Sequence, residues 1–163
     1  MIYEAPSFDN SMMHAQTQNA VMMLKETPAD IAKPYTPTPG IESKQIDIEK
    51  FSEKLSRISA YRTTAKCAKS IRIALQTAGA KFTQHPVAAS DWGGTLEQIG
   101  YREIDPAFDS PMAGDIYIIH RTKQHIYGHI AGFSGTQWVS DFKQNSYDVY
   151  KDKTVTYTYY RLG

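Results

Sequence analysis

The sequence predicts an α+β domain in which helices come first and an antiparallel sheet follows. Three observations predict it. Apolar residues recur at helical spacing between 46 and 78. The later chain switches to short runs rich in Ile, Val, Tyr and Thr. Short polar turns join several of those runs, as in hairpins. The 163 residues allow one domain with a proper core plus a short appendage.

Residues 1 to about 45 form an N-terminal segment of different character. They carry Pro6, Pro28, Pro34, Pro37 and Pro39, the last followed by Gly40. The run 34–40 reads as an extended linker, because proline fixes φ and donates no backbone hydrogen bond. Before it, Met12, Met13, Val21, Met22, Met23 and Leu24 predict a short helix with a soft apolar face. A loosely ordered tail and a docking segment both fit this composition.

The globular pattern occupies 46–163. Ile48, Phe51, Leu55 and Ile58 predict a helix over 46–58. After a polar approach at 59–64, a second helix runs over 65–78. Its apolar face is Cys67/Ala68, Ile71, Ala74/Leu75 and Ala78, and Gly79 suits the position just past its end. Ser90 or Asp91 is placed to cap a short helix through Ile99, stopped by Gly100. Strands follow at 115–120 and 125–133, joined by the polar Arg121–Gln124 turn. A third is expected at 137–141 and a last at 154–162.

Composition excludes several classes. A net charge of +1 without a concentrated Lys/Arg run gives no electrostatic case for nucleic acid. One cysteine rules out an intrachain disulfide, which suits a reducing cytoplasm and does not exclude export. Met1-Ile2-Tyr3-Glu4 has no basic n-region and no apolar run after it, so no Sec signal is expected. No stretch reaches transmembrane length. There is no His-Glu-x-x-His motif and no cysteine pair for a metal. Gly93-Gly94 is too short for a phosphate loop, and no Gly-x-Ser-x-Gly elbow appears. Neither a metal nor a cofactor is expected.

What remains is a thiol constellation. Cys67 opens a helix, where free N–H groups and the dipole favour a thiolate. The competing reading is a small buried core residue. Of five histidines, His14 is in the tail, His85 precedes Pro86, and His120 and His125 flank a turn as surface residues. His129 lies inside a strand among Gly128, Ala131 and Gly132, small neighbours that leave room for a substrate or a facing side chain. It is the expected base, taking the thiol proton and returning it to the leaving amine. Asp141, one tight Ser134-Gly135 turn further on, is the expected orienter of the imidazole. Ser140 falls on the opposite face, and Asp115 is the rival carboxylate.

Four local patterns then line up in order. Cys67-Ala68-Lys69-Ser70 opens a helix, and Pro111-Met112-Ala113-Gly114-Asp115-Ile116 leads into a strand. Gly128-His129-Ile130-Ala131 follows, and Trp138-Val139-Ser140-Asp141-Phe142 after it. Over about 60–145 this order resembles the NlpC/P60 and CHAP superfamily of cysteine peptidases and amidases. The resemblance implies a papain-like fold, with N-terminal helices packed on an antiparallel sheet, and cleavage of the peptide part of bacterial peptidoglycan. It carries the nucleophile to Cys67, the base to His129 and the third, family-variable polar position to Asp141. The chain is further similar to compact amidase effectors delivered by type VI secretion. Such effectors are made in the cytoplasm, act in a rival cell's periplasm or wall, and are matched by an immunity protein. The partners implied are stem peptides, an immunity protein and a component of the secretion apparatus. A phage-type lysin, another papain-like thiol enzyme such as a protease or acyltransferase, and a non-catalytic binding module stay open as alternatives.

Overall fold

The computed structural model describes residues 45–163. The expectations for the proline-bearing linker and the methionine-containing helix lie outside the described residues. Helix α1 spans Ile48–Ser56; Asp47 caps it by accepting a hydrogen bond from the Lys50 amide at 3.1 Å. Its i, i+4 pair Phe51 and Leu55 is fully buried. Helix α2 spans Cys67–Thr77 and buries Ile71, Ala74 and Leu75. It ends in a Schellman turn. Gly79 has φ +101, its amide donates to Gln76 O, and the Ala80 amide donates to Leu75 O. The Asp47 amide donates to Ala78 O and so ties the start of α1 to the end of α2.

The next expectation needs correcting. A 3-10 turn at Ala89–Asp91 precedes helix α3, Gly93–Gln98, whose first turn has no side-chain cap. Ser90 and Asp91 serve the loop after the second strand instead. Ser90 Oγ accepts from the Arg121 amide, and Asp91 pairs with the Arg121 guanidinium. Trp92 fills the residue before α3 and is fully buried.

The sheet has five strands, all paired antiparallel, in the order β1-β5-β2-β3-β4. They are β1 Tyr101–Ile104, β2 Ile116–Ile119, β3 His129–Phe133, β4 Trp138–Val139 and β5 Tyr157–Leu162. The expected strands exist but are shorter, and β1 was not expected. Helices α1 and α2 pack on one face, against Ile116, Ile118, Ile130, Val139 and Tyr160. Tyr117, Ile119, Ala131, Trp138 and Tyr159 alternate onto the other face. There Phe108 makes edge contacts with Tyr117, Trp138, Tyr157 and Tyr159 and stacks on Tyr147 at 3.9 Å. Both faces are therefore covered, and every residue of β2 is buried.

Gly132 explains how α1 approaches so closely. A Cβ there would meet Phe51 at 2.7 Å and Leu55 at 2.9 Å. Gly128 has φ +68, and a Cβ on it would strike the Ile119 carbonyl. The small residues around His129 thus answer to packing and a tight turn. Among the described residues, no helix is long and apolar enough to cross a membrane.

Candidate active site

Cys67 is the first residue of α2, and His129 is the first residue of β3. Both line one cleft of about 650 Å³, together with Phe142, Tyr150 and the loop ahead of β3. Strand β4 is two residues long, so the open edge of β3 lies free beyond it. There the backbone amide of Ile130 acts on the Cys67 sulfur. Burial pushes the thiol above its ordinary value. The Ile130 amide opposes this, the Asp141 charge adds to it, and the amides of Ala68 and Cys67 oppose it again. The net shift is upward, so the resting group is a thiol.

His129 is 6% exposed. Burial draws its imidazole below the ordinary value, against a Gln144 hydrogen bond and the Asp141 charge that both favour the cation. The resting imidazole is neutral. Its tautomer follows from the hydrogen bonds. Gln144 Nε2 donates to Ser146 O at 3.1 Å and to Tyr117 Oη at 2.8 Å. A carbonyl only accepts, so the NH₂ end of the amide must face Ser146. Tyr117 Oη is free to accept because its own hydrogen goes to Tyr147 O at 2.8 Å. Gln144 Oε1 is thereby turned to His129 Nε2, 2.7 Å away. An acceptor there requires Nε2 to carry the proton. The Nδ1 lone pair is left as the basic site.

Asp141, the expected orienter, meets a different geometry. Its Oδ2 accepts from the Thr64 amide, Thr64 Oγ1 at 2.9 Å, Thr63 Oγ1 at 3.2 Å and the Lys66 amide at 3.3 Å. Burial alone would raise this carboxyl, but the Thr64 and Lys66 hydrogen bonds outweigh it and hold it below its ordinary value. Strand pairing gives the reason. Gly132 faces Val139 and Phe133 faces Trp138. The pairing stops there: Val139 also bridges Lys143 antiparallel, so residues 140–142 form a turn that carries Asp141 to the loop before α2. The same turn leaves the Phe142 ring 6.3 Å from that of His129. The partner of the imidazole is Gln144, which sequence reasoning missed. Nothing local marks Gln144, because it arrives by the loop after β4, where its amide donates to Trp138 O.

The rival Asp115 sits at the far end of β2 from Ile119, the residue paired with His129. It is 1% exposed and saturated: Met112 N, Tyr159 Oη and a bidentate Arg161 all donate to it. Its role is structural. His125 is exposed, as expected, and also lines the cleft, where it stacks on Tyr150 at 3.7 Å. Tyr150 donates to Gly128 O at 2.9 Å and sets its ring edge-on to His129. Lys66 and Lys69 complete the lining, which includes no carboxylate. Among the described residues, no group of three or more His, Cys, Asp or Glu is placed to hold a metal ion.

No family model matches the chain, and the search of curated proteins finds no match. Two solved structures share the fold. One is the crystal structure of the type VI native effector-immunity complex Tae3-Tai3 from Ralstonia pickettii. The likeness has a TM-score of 0.64 and 28% identity over 72% of this chain and 99% of that one. The other is the selenomethionine form of the same complex, with a TM-score of 0.61 and 28% identity over 69% and 99%.

Proposed function

We propose that this protein is a cysteine amidase that cleaves the peptide part of bacterial peptidoglycan and acts as a type VI effector. The observation that carries the reading is the likeness to the Tae3-Tai3 complex across 99% of the matched chain, with a thiol and an imidazole in one cleft. The chemistry follows from the resting protonation states. Cys67 Sγ attacks the amide carbon while its proton passes to His129 Nδ1, a general-base step between neutral groups. The oxyanion is met by backbone amides at the start of α2. The C–N bond then breaks, and the imidazolium gives its proton to the leaving amine. Water, deprotonated by the same Nδ1, hydrolyses the thioester and frees the thiol. Gln144 keeps Nε2 protonated throughout and so keeps Nδ1 available. Lys66 and Lys69 give the cleft a positive rim, which suits the carboxylates of stem peptides.

The effector reading includes a cognate immunity protein and delivery into a target cell, with residues 1 to about 45 as a segment separate from the catalytic domain. The test is expression with and without an added Sec signal, in wild-type and Cys67→Ala forms, alongside digestion of purified peptidoglycan with product analysis. Lysis is expected only when both the signal and the thiol are present. Cys67→Ala, His129→Ala and the double variant should each abolish fragment release with non-additive losses. Equal toxicity without the signal, or full activity of either single variant, overturns the proposal.

A further inference from the structure

We infer that Asp141 is a positioning residue for the nucleophile: its carboxylate clamps loop 63–66 into the shape that launches the Cys67 helix. This rests on Cys67 as the reacting thiol. Lys66, the residue before α2, offers no side-chain cap. The amides at the helix entry instead take a carboxylate 75 positions away in sequence. Between Thr64 and Lys66 stands Ala65 with φ +59, a left-handed conformation uncommon for a residue with a Cβ. That conformation turns the Thr64 and Lys66 amides toward one point, the nest geometry that binds an anionic oxygen. Asp141 Oδ2 sits at that point and takes both amides and the hydroxyls of Thr63 and Thr64. Thr63 Oγ1 also accepts from the Ala65 amide at 3.1 Å, and Ser140 Oγ holds Asp141 Oδ1 at 3.2 Å. Clamp and loop define each other, and Cys67 is the next residue after them.

The same carboxylate makes no hydrogen bond to His129 among the described residues. Its charge also lifts the thiol, so its direct electrostatic effect on the nucleophile is adverse. What it contributes is geometry. A relay role and a clamp role therefore predict different variants.

The experiment compares full-chain wild type with Asp141→Ala, Asp141→Asn and Asp141→Ala/Ala65→Gly. It measures peptidoglycan hydrolysis, melting, and the rate and pH midpoint of Cys67 alkylation by iodoacetamide. Asp141→Ala should lose roughly tenfold or more in hydrolysis, because the nucleophile is misplaced. Asp141→Asn keeps an oxygen for the two amides and should retain about a third of wild-type activity or better. Its alkylation midpoint should move to lower pH, since the adverse charge is gone. Glycine adopts the left-handed conformation without a Cβ, so Ala65→Gly should recover about threefold or more in the Asp141→Ala background.

Asp141→Asn as inactive as Asp141→Ala, or no recovery from Ala65→Gly, overturns the clamp. If Asp141→Ala does not fold, Asp141→Asn and its alkylation midpoint decide. If wild type digests no peptidoglycan, the proposed function fails, while the alkylation measurements still test the clamp.

Discussion

Replacing Gln144 with leucine removes the acceptor that holds His129 Nε2–H. Gln144 is 3% exposed, so water does not readily take over the role. Tyr117 Oη keeps Tyr147 O as a partner, and Ser146 is only partly buried, so neither group is stranded in a dry interior. The stranded group is the imidazole N–H. An orphaned buried donor costs about 1–3 kcal/mol. A similar free energy separates the held tautomer from a ring free to turn or to move its proton to Nδ1. At about 1.4 kcal/mol per factor of ten, kcat/KM should fall by roughly fivefold to a hundredfold. The assay is release of peptide fragments from purified peptidoglycan, with a melt to establish that the variant is folded. Gln144→Glu gives a second reading. A carboxylate facing Nε2–H favours the imidazolium and raises the imidazole pKa, so the acid limb of the rate profile should move to higher pH. A folded Gln144→Leu enzyme within about twofold of wild type would falsify the tautomer argument, being below the smallest effect expected of a buried hydrogen bond. An unmoved acid limb in Gln144→Glu would show that residue 144 does not face the reacting imidazole.

Three other expectations are separable from that one. Burial draws His129 below its ordinary value of 6.5 and lifts Cys67 above 9.0, so the rate should hold across that whole range and fall only further out, through the lowered imidazole value on the acid side and the raised thiol value on the alkaline side. A wave of Cys67 alkylation near the low values of ion-paired thiolates, about pH 3–4, would contradict the neutral resting pair. The same depressed imidazole gives a stability sign: its contribution is fully present above pH 6.5 and is lost as pH falls through the lowered folded-state value. Melting temperature should therefore drop on acidification, and His129→Gln should flatten that dependence. Finally, Gly132→Ala forces a Cβ against Phe51 and Leu55 and should destabilise by about 1–3 kcal/mol in denaturant unfolding. A neutral result there would mean that α1 can shift off the sheet.

The amino-acid sequence by itself determined the helices and the buried strands, because their signals are local and periodic. The three-four rhythm from Cys67 to Ala78 and Gly79 after it define α2 without reference to anything distant. The apolar runs of β2 and β3 are legible in the same way. The sequence also singles out Cys67, the single cysteine, and His129, the histidine inside a strand, and the structure places both on one cleft. Tertiary structure alone decided the rest. Strand β1 carries Arg102 and Glu103 and has little strand character of its own; it is a strand because β5 pairs with it along the edge. That β5 enters between β1 and β2 is likewise a matter of long-range pairing. The assignment of partners within the site follows the same logic. Asp141 and Gln144 are three residues apart, and both are polar and buried. The end of β4 and the path of the loop after it send one to the helix entry and the other to the imidazole. A hydrogen-bond partner is chosen by where the backbone delivers a side chain, and that delivery is set by the fold around it.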